Sequence, residues 1–365
     1  MRSKKVGYFR TSMKTLIDIA ESTNDYYMVA GYLVMARHCT SEEIGGREPY
    51  TFCGAGQRAI QEKVHVSAAR AAGILDRLSE QGWLKPVAAD IKALAPQAAR
   101  QEVKRGQLDL DLPHTFTDDL GKVDAILARF KGLGHCTDYK ERLATLTDED
   151  AKLDALMLML HVYWRLDMTR WGGVPPLFFY RAWTTHSRRR SNRNFIWQAE
   201  AGLQTMYPDK AQAALSHASL VNGKQGKAHP LVETRFWSAL QNLRQKGLVY
   251  EAVTWLTDDP KKNDKAQALC TIRVNDYHAD TKVRGATPDP SLLKEIGELG
   301  FYTNPNNDRG EEEQVKVAMH ADHGVLIGIY RPRFRPINSD TGVWMEKDAE
   351  ACESHGSKII IGGAL

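Results

Sequence analysis

Residues 64–87 read VHVSAARAAGILDRLSEQGWLKPV, and this stretch decides the predicted fold of the surrounding region. Ser67 is placed to cap a helix, because its side-chain oxygen can accept a hydrogen bond from a backbone N–H of the first turn. Gly82 suits the left-handed conformation in which helices commonly end. The apolar residues between them recur at intervals of three and four and form one stripe, made of Ala71, Ile74, Leu75 and Leu78. We therefore predict an amphipathic helix that starts after Ser67 and stops at Gly82.

The side of this helix away from the stripe is unusually bare. Two arginines, Arg70 and Arg77, stand there among small residues, which are Ser67, Ala68, Ala69 and Gly73. A helix fits the major groove of DNA when its outward side chains are short or themselves read base edges. The pattern predicts a DNA-recognition helix, with Ser67 and Arg70 as base readers and Arg77 as a phosphate contact. A helix that only packs or contacts protein is the alternative.

The flanking sequence extends this helix into a larger pattern. The predicted elements are a mostly apolar helix at 26–39, a polar loop at 40–52, a short helix within 55–66, a strand at 83–87 and a return strand within 103–113. Together with the helix after Ser67, they follow the order helix, turn, helix, strand and hairpin. That order indicates a winged helix.

The segment resembles the recognition-helix region of MarR-type and related bacterial winged-helix regulators. In that region a valine and a serine precede small or polar residues, an apolar pair, Asp-Arg-Leu, and a glycine ahead of an apolar strand. The matching positions are Val66, Ser67, Ile74, Leu75, Asp76, Arg77, Leu78, Gly82, Trp83 and Leu84. The resemblance covers only this part of the 365-residue chain. It implies the winged-helix fold of the segment and a DNA-contacting role for its helix.

A similar order recurs later in the chain. It comprises an apolar helix at 153–168, a basic loop HSRRRSNRN at 186–194, a helix at about 229–246 ending at Gly247, and a hairpin whose charged tip is 260–265. Basic residues in the loop and tip are expected to bind phosphates, which release counterions when neutralised. The phosphate-binding candidates are Arg188, Arg189, Arg190 and Arg193 in the loop and Lys261, Lys262 and Lys265 at the tip. On the helix, Thr234 and Arg235 are the predicted base readers, and Ser238 is a further candidate DNA contact. A solvated helix face and solvated loops would explain the same residues.

The predicted fold class is α+β, mostly α, with two winged helix-turn-helix domains in tandem plus a small β-rich C-terminal unit. The expected boundaries are 1–117 for the first winged-helix domain, 118–165 for a helical connector, 166–285 for the second winged-helix domain and 286–365 for the C-terminal unit. Two winged helices in series are also similar in layout to plasmid replication initiators, in which such domains bind repeated sites at an origin.

Composition and missing motifs narrow the function further. The chain is 42% hydrophobic and 26% charged with a net charge of +4, which fits a globular protein and permits a polyanionic partner. Five dispersed cysteines without a C-x-x-C pair suit a reducing cytosol. No phosphate-binding loop or nucleophile-elbow motif occurs. The clusters YHAD (277–280) and MHADH (319–323) do not establish a metal site. We therefore expect no enzymatic activity, no cofactor and no metal.

These observations predict a cytoplasmic, sequence-specific double-stranded DNA-binding protein. The favoured role is a transcriptional regulator of a bacterium or a mobile genetic element. A plasmid-type replication initiator is the first alternative, and a winged-helix adaptor that contacts proteins is the second. The expected partner is double-stranded DNA. A homodimer is left open, and no membrane partner is expected.

Overall fold

The structure of the protein is a computed structural model. It describes residues 9–42, 50–53, 56–85, 107–108, 115–116, 122–167, 170–189, 195–218, 231–256, 258–260, 262, 265–266, 268–275, 302–303, 315–317 and 325–333. For some of these, mainly in strands, it describes the backbone alone. The described chain is mixed helix and strand, with more residues in helices than in strands. This confirms the coarse prediction of an α+β chain that is mostly α.

The helices predicted from the sequence are all present, and two further helices lie near the N-terminus and after the longest strand. In chain order they are α1 (Met13–Thr23), α2 (Tyr26–Arg37), α3 (Gln57–Val64), α4 (Ala68–Glu80), α5 (Lys122–Arg129), α6 (Asp148–Trp164), α7 (Pro208–Ala214) and α8 (Val232–Gln245). A short 3-10 helix covers Thr137–Tyr139. Within the described ranges, no helix has both the length and the apolar character needed to cross a membrane.

The strands form antiparallel pairs throughout the described chain. In chain order they are β1 (Phe9–Arg10), β2 (Cys39–Glu42), β3 (Tyr50–Cys53), β4 (Leu84–Lys85), β5 (Gln107–Leu108), β6 (Thr115–Phe116), β7 (Phe179–Arg189), β8 (Phe195–Met206), β9 (Val249–Leu256), β10 (Ala268–Asn275), β11 (Tyr302–Thr303), β12 (Val315–Val317) and β13 (Val325–Pro332). They belong to a two-stranded, a four-stranded and a seven-stranded sheet.

The chain divides into two compact units, each assembled from separate stretches of sequence. The first unit contains Met1–Trp164 and Gln212–Lys246, and the second contains Arg165–Ala211 and Gly247–Arg333. This division differs from the predicted series of consecutive domains. The reason lies in α6, which is buried almost continuously along its length and therefore needs packing partners on every side. Within the first unit it packs against α1, α2 and α8.

The first unit carries a four-stranded sheet next to a cluster of three helices. Its strand order is β2-β3-β5-β4, and α2, α3 and α4 pack on one another. The predicted return strand is present as β5, in which Leu108 pairs with Leu84 of β4. The prediction of a polar loop at 40–52 is wrong at both ends, because 40–42 lie in β2 and 50–52 lie in β3, while 43–49 lie outside the described residues. Polar side chains are compatible with such an antiparallel hairpin, since one of its faces can meet solvent.

Helix α4 begins and ends where the sequence predicts. The Oγ atom of Ser67 accepts a hydrogen bond from the backbone N–H of Arg70 at 3.2 Å, and Gly82 has a φ of +79°. Its apolar stripe is packed against α2, and Gly31 makes the close approach of these two helices feasible. A Cβ atom added to Gly31 would lie 2.6 Å from Cγ2 of Ile74.

The second unit is built around the seven-stranded sheet, in the order β10-β9-β13-β7-β8-β12-β11. Two predictions are corrected here. The basic segment 186–194 is not simply a loop, because its first four residues continue β7, where Arg189 pairs with Phe195 of β8. The described C-terminal strands do not form a unit of their own, because β13 pairs with both β9 and β7. Pairing on both edges satisfies the backbone groups of this apolar strand, which a small separate unit could not bury as well.

A buried carboxylate fixes three neighbouring strands of this sheet. Glu251 of β9 is fully buried and accepts a hydrogen bond from Nε1 of Trp183 on β7 at 3.0 Å. It also pairs with Arg181 of β7 at 3.4 Å. Its side chain crosses β13 at Gly328, where an added Cβ atom would collide with it. Gly328 is therefore needed for this arrangement.

Candidate nucleic-acid interface

The N-terminal end of α4 is open to solvent, as the sequence predicts. Ser67, Ala68, Ala69 and Arg70 are exposed. Gly73 is half-buried, but an added Cβ atom would meet nothing within 4 Å, so the space outside it is empty. The structure therefore leaves room for another backbone to approach this end of the helix.

Arg70 lies along the surface of the first unit in a defined position. Its Nη2 atom donates to Oε1 and Oε2 of Glu149 at 3.2 and 3.4 Å, and its Cζ atom lies 3.6 Å from the centroid of the Tyr27 ring. Its side chain is 45% exposed and that of Glu149 is 50% exposed. The guanidinium therefore has one face on an aromatic ring and an edge on a carboxylate, while solvent still reaches the pair.

Arg77, seven residues further along the helix, also pairs with a carboxylate. Its Nη1 atom donates to Oδ2 of Asp25 at 2.9 Å, and its side chain is 46% exposed. The other carboxylate oxygen of Asp25 accepts from the backbone N–H of Tyr27 at 2.8 Å and caps α2. Seven residues correspond to about two helical turns and roughly 10 Å. Arg70 and Arg77 thus form one cationic stripe beside the N-terminus of α2.

The charge on α4 is divided between two flanks. Asp76 and Glu80 are exposed on the helix, whereas Arg70 and Arg77 lie toward α2 and α6. On the arginine flank each guanidinium is paired with one carboxylate, Arg70 with Glu149 and Arg77 with Asp25. This flank, defined by Arg70, Arg77 and Tyr27, is called the arginine stripe below.

An ion-pair cluster fixes α3 behind the interface. Asp124 of α5 pairs with Arg37 of α2, and its Oδ2 atom lies 2.6 Å from Nζ of Lys63 on α3. Partial burial opposes ionisation of Asp124, but the hydrogen bonds from Arg37 and Lys63 outweigh it and lower the pKa of this carboxyl. The cluster therefore ties α2, α3 and α5 together as charged partners.

The predicted DNA-reading face of the second helix, α8, is not exposed. Arg235 is 1% exposed and Ser238 is 2% exposed. Arg235 donates to both carboxylate oxygens of Asp154, at 2.8 and 2.6 Å, and Ser238 accepts from the backbone N–H of Cys136 at 3.3 Å. The expectation that these two side chains face DNA is therefore wrong for this conformation. Thr234 is half-buried.

Arg235 is buried because it forms an ion pair with the buried carboxylate of Asp154. Asp154 lies in the apolar middle of α6 and also contacts Nε2 of His217 at 2.8 Å. Burial alone would raise the pKa of this carboxyl, but the charge of Arg235 and the hydrogen bonds from His217 and Arg235 lower it to about 2. An aspartate within a buried apolar helix was the sequence signal for a buried cationic partner, because such charges are almost always paired.

The remaining basic candidates belong to the second unit. Arg188 and Arg189 lie in the end of β7 next to the turn toward β8. The predicted hairpin with a charged tip is confirmed as β9 and β10, and Lys262 and Lys265 are exposed between them. Three candidates lie outside the described residues, namely Arg190, Arg193 and Lys261. The YHAD and MHADH clusters also lie outside them.

Three residues of the interface were missed from the sequence. Asp25 stands directly before an apolar helix, which is a recognisable capping signal. Tyr27 and Glu149 carry no such signal, because their roles depend on contacts with Arg70 that link distant segments. Comparison of the chain with protein-family models, curated proteins and solved structures gave no significant match.

Proposed function

We propose that the protein binds double-stranded DNA through its first unit, with α4 as the recognition helix and β4 and β5 as the wing. The supporting observation is the order α2, β3, α3, α4, β4, β5 combined with the sheet order β3-β5-β4. A helix-turn-helix followed by a hairpin that pairs back onto the strand before it is the winged-helix topology. The resemblance of residues 64–87 to MarR-type regulators points the same way.

We propose different tasks for the two sides of α4. Its exposed start, Ser67 to Ala69 with the open space at Gly73, lets the helix backbone approach the floor of the major groove. Arg70 and Arg77 then contact backbone phosphates along the arginine stripe. We propose a phosphate contact for Arg70 instead of base reading, because its guanidinium lies over the Tyr27 ring and pairs with Glu149.

A tandem layout is supported by a repeated order of elements. The series α2, β2–β3, α3, α4, β4–β5 is followed by α6, β7–β8, α7, α8, β9–β10. In the second series β13 lies between β9 and β7, and Arg235 and Ser238 on α8 are buried. The β7–β8 turn, with Arg188, Arg189, Arg190 and Arg193, and the tip with Lys261, Lys262 and Lys265 are the cationic segments proposed to add phosphate contacts there.

The favoured role is a transcriptional regulator. A plasmid-type replication initiator is the alternative that the repeated element order favours, because two copies could occupy adjacent DNA repeats. Selection of binding sites from random duplex DNA, followed by footprinting on the selected site, tests both. One site of operator length supports the regulator, and an array of direct repeats supports the initiator. Failure to select any duplex contradicts DNA binding and favours a protein-contacting adaptor.

Replacement of Arg70 by Ala tests the interface directly. We expect weaker binding to every duplex sequence and a fall of about 0.9 in the slope of log K against log salt, because one phosphate contact is lost. Arg142, exposed in the same unit and outside α4, is the matched control, and Arg142→Ala should leave the slope unchanged. Relaxed preference at a single base pair without a change of slope would instead make Arg70 a base reader.

A further inference from the structure

The partners of the two stripe arginines differ in what else they do. Asp25 caps α2 through the backbone N–H of Tyr27 as well as binding Arg77, so the fold needs it. At the start of α6 the cap is made by other residues, since Thr147 and Asp150 exchange side-chain and backbone hydrogen bonds. Within the described part of the chain, the side chain of Glu149 makes hydrogen bonds and an ion pair with Arg70 alone. The cap of α6 therefore does not depend on this side chain.

Glu149 contacts Arg70 in the way that a phosphate group would, through two negatively charged oxygen acceptors. Two anionic oxygens of one group approach a single guanidinium nitrogen at 3.2 and 3.4 Å. A phosphate would present the same pair of charged acceptors and would bind the same donors. Both partners are about half exposed, so solvent weakens their attraction and an external anion can exchange with Glu149.

Tyr27 keeps the guanidinium in place independently of Glu149. The Arg70 Cζ atom lies 3.6 Å from its ring centroid, a distance at which the π-face of the ring attracts a cation. Nζ of Lys152 also lies 5.9 Å from this centroid, which adds positive charge near the same spot. When an anion displaces Glu149, the donor group of Arg70 remains ordered on the ring.

We propose that Glu149 is an internal competitor for the phosphate site on Arg70, and that Tyr27 holds this site ready for a phosphate of duplex DNA. The inference rests on the proposed DNA-binding function and adds regulation of the same surface. The free protein occupies the site with its own carboxylate, and DNA binding replaces that carboxylate with a backbone phosphate. The first turn of α6 thereby sets the affinity of α4 for DNA.

The test compares Glu149→Gln with Asp148→Asn in the full-length chain. Both changes remove one negative charge from the first turn of α6, but Asp148 makes no described ion pair with Arg70. We expect Glu149→Gln to tighten binding of the selected duplex about two- to fivefold at low salt, which is the range of an exposed ion pair. Asp148→Asn should change it by less than half as much. Thermal melting of each variant checks that the fold is retained.

A double-mutant cycle separates competition at Arg70 from a general change of charge. In the Arg70→Gln background, Glu149→Gln should give no gain in affinity, because the contested site is absent. An equal gain in that background, an equal effect of Asp148→Asn, or no gain from Glu149→Gln in the wild-type background would each overturn the inference while DNA binding stands. Absence of duplex binding in every variant would refute the proposed function and this inference together.

Discussion

At the scale of single residues, the buried carboxylate of Asp154 explains why the side chain of Arg235 is buried. It accepts two hydrogen bonds from Arg235 and one contact from His217 inside the first unit. Because all three side chains are buried, removing one partner leaves a charge without compensation, which commonly costs about 3–5 kcal/mol. The same arginine would look like a DNA contact in a helix considered alone.

Asp154 should make the stability of the first unit depend on pH in the acid range. Its pKa is lowered in the folded protein from 3.8 to about 2, so its stabilising contribution is present above about pH 4 and is lost as the pH falls toward 2. The linked free energy is of the order of 2 kcal/mol. Urea unfolding between pH 5 and pH 2 should show this loss in the wild type and a shallower loss in Asp154→Asn.

Two further variants control this measurement. Asp148→Asn removes an exposed carboxylate nearby and should keep the wild-type pH profile. The pair Asp154→Leu with Arg235→Met removes both buried charges and should be more stable than Asp154→Asn alone. A wild-type profile as shallow as that of Asp154→Asn would contradict the assignment.

At the scale of elements, the contact between α2 and α4 fixes the position of α4. Gly31 of α2 faces Ile74 of α4, and the two helices lie close because no Cβ atom intervenes. The position of α4 therefore depends on one glycine in a neighbouring helix. The outer face of α4 is bare because its own residues are small, whereas its inner face packs closely because Gly31 of α2 is small.

Two glycine-to-alanine changes in helices should have opposite effects. Gly31→Ala should lower the free energy of unfolding by about 1–3 kcal/mol, because its new methyl group would lie 2.6 Å from Cγ2 of Ile74. Gly73→Ala should raise it by up to about 1 kcal/mol, because alanine favours a helix and nothing lies within 4 Å of the new atom. Chemical denaturation measures both. Equal changes in the same direction would show that α2 and α4 are not in close contact.

At the scale of the whole molecule, the second unit carries basic residues of its own that are proposed to contact phosphates. The β7–β8 hairpin places Arg188 and Arg189 beside its turn, and Lys262 and Lys265 are exposed at another turn of that unit. Each phosphate contact adds to the salt dependence of binding whatever the DNA sequence. The contribution of these segments to binding is therefore measurable separately from that of α4.

Neutralising the β7–β8 turn should weaken binding to all duplexes alike. Replacing Arg188, Arg189 and Arg190 by Gln should lower the slope of log K against log salt by about 2–3, if each arginine meets one phosphate. The matched control replaces the same three residues by Lys, which retains the charge. A slope equal to that of the wild type in the Gln variant would exclude this turn from the DNA contact.

The sequence by itself determined the local features of this protein. The cap at Ser67, the stop at Gly82 and the apolar stripe of α4 follow from residues within a few turns of one another, whose spacing directly reflects helix geometry. Only the tertiary structure decided that Arg235 pairs with Asp154, that Arg70 meets Glu149, and that β13 enters the sheet between β9 and β7. These contacts join segments far apart in the chain, and the packing of whole elements selects them among many chemically equivalent pairs.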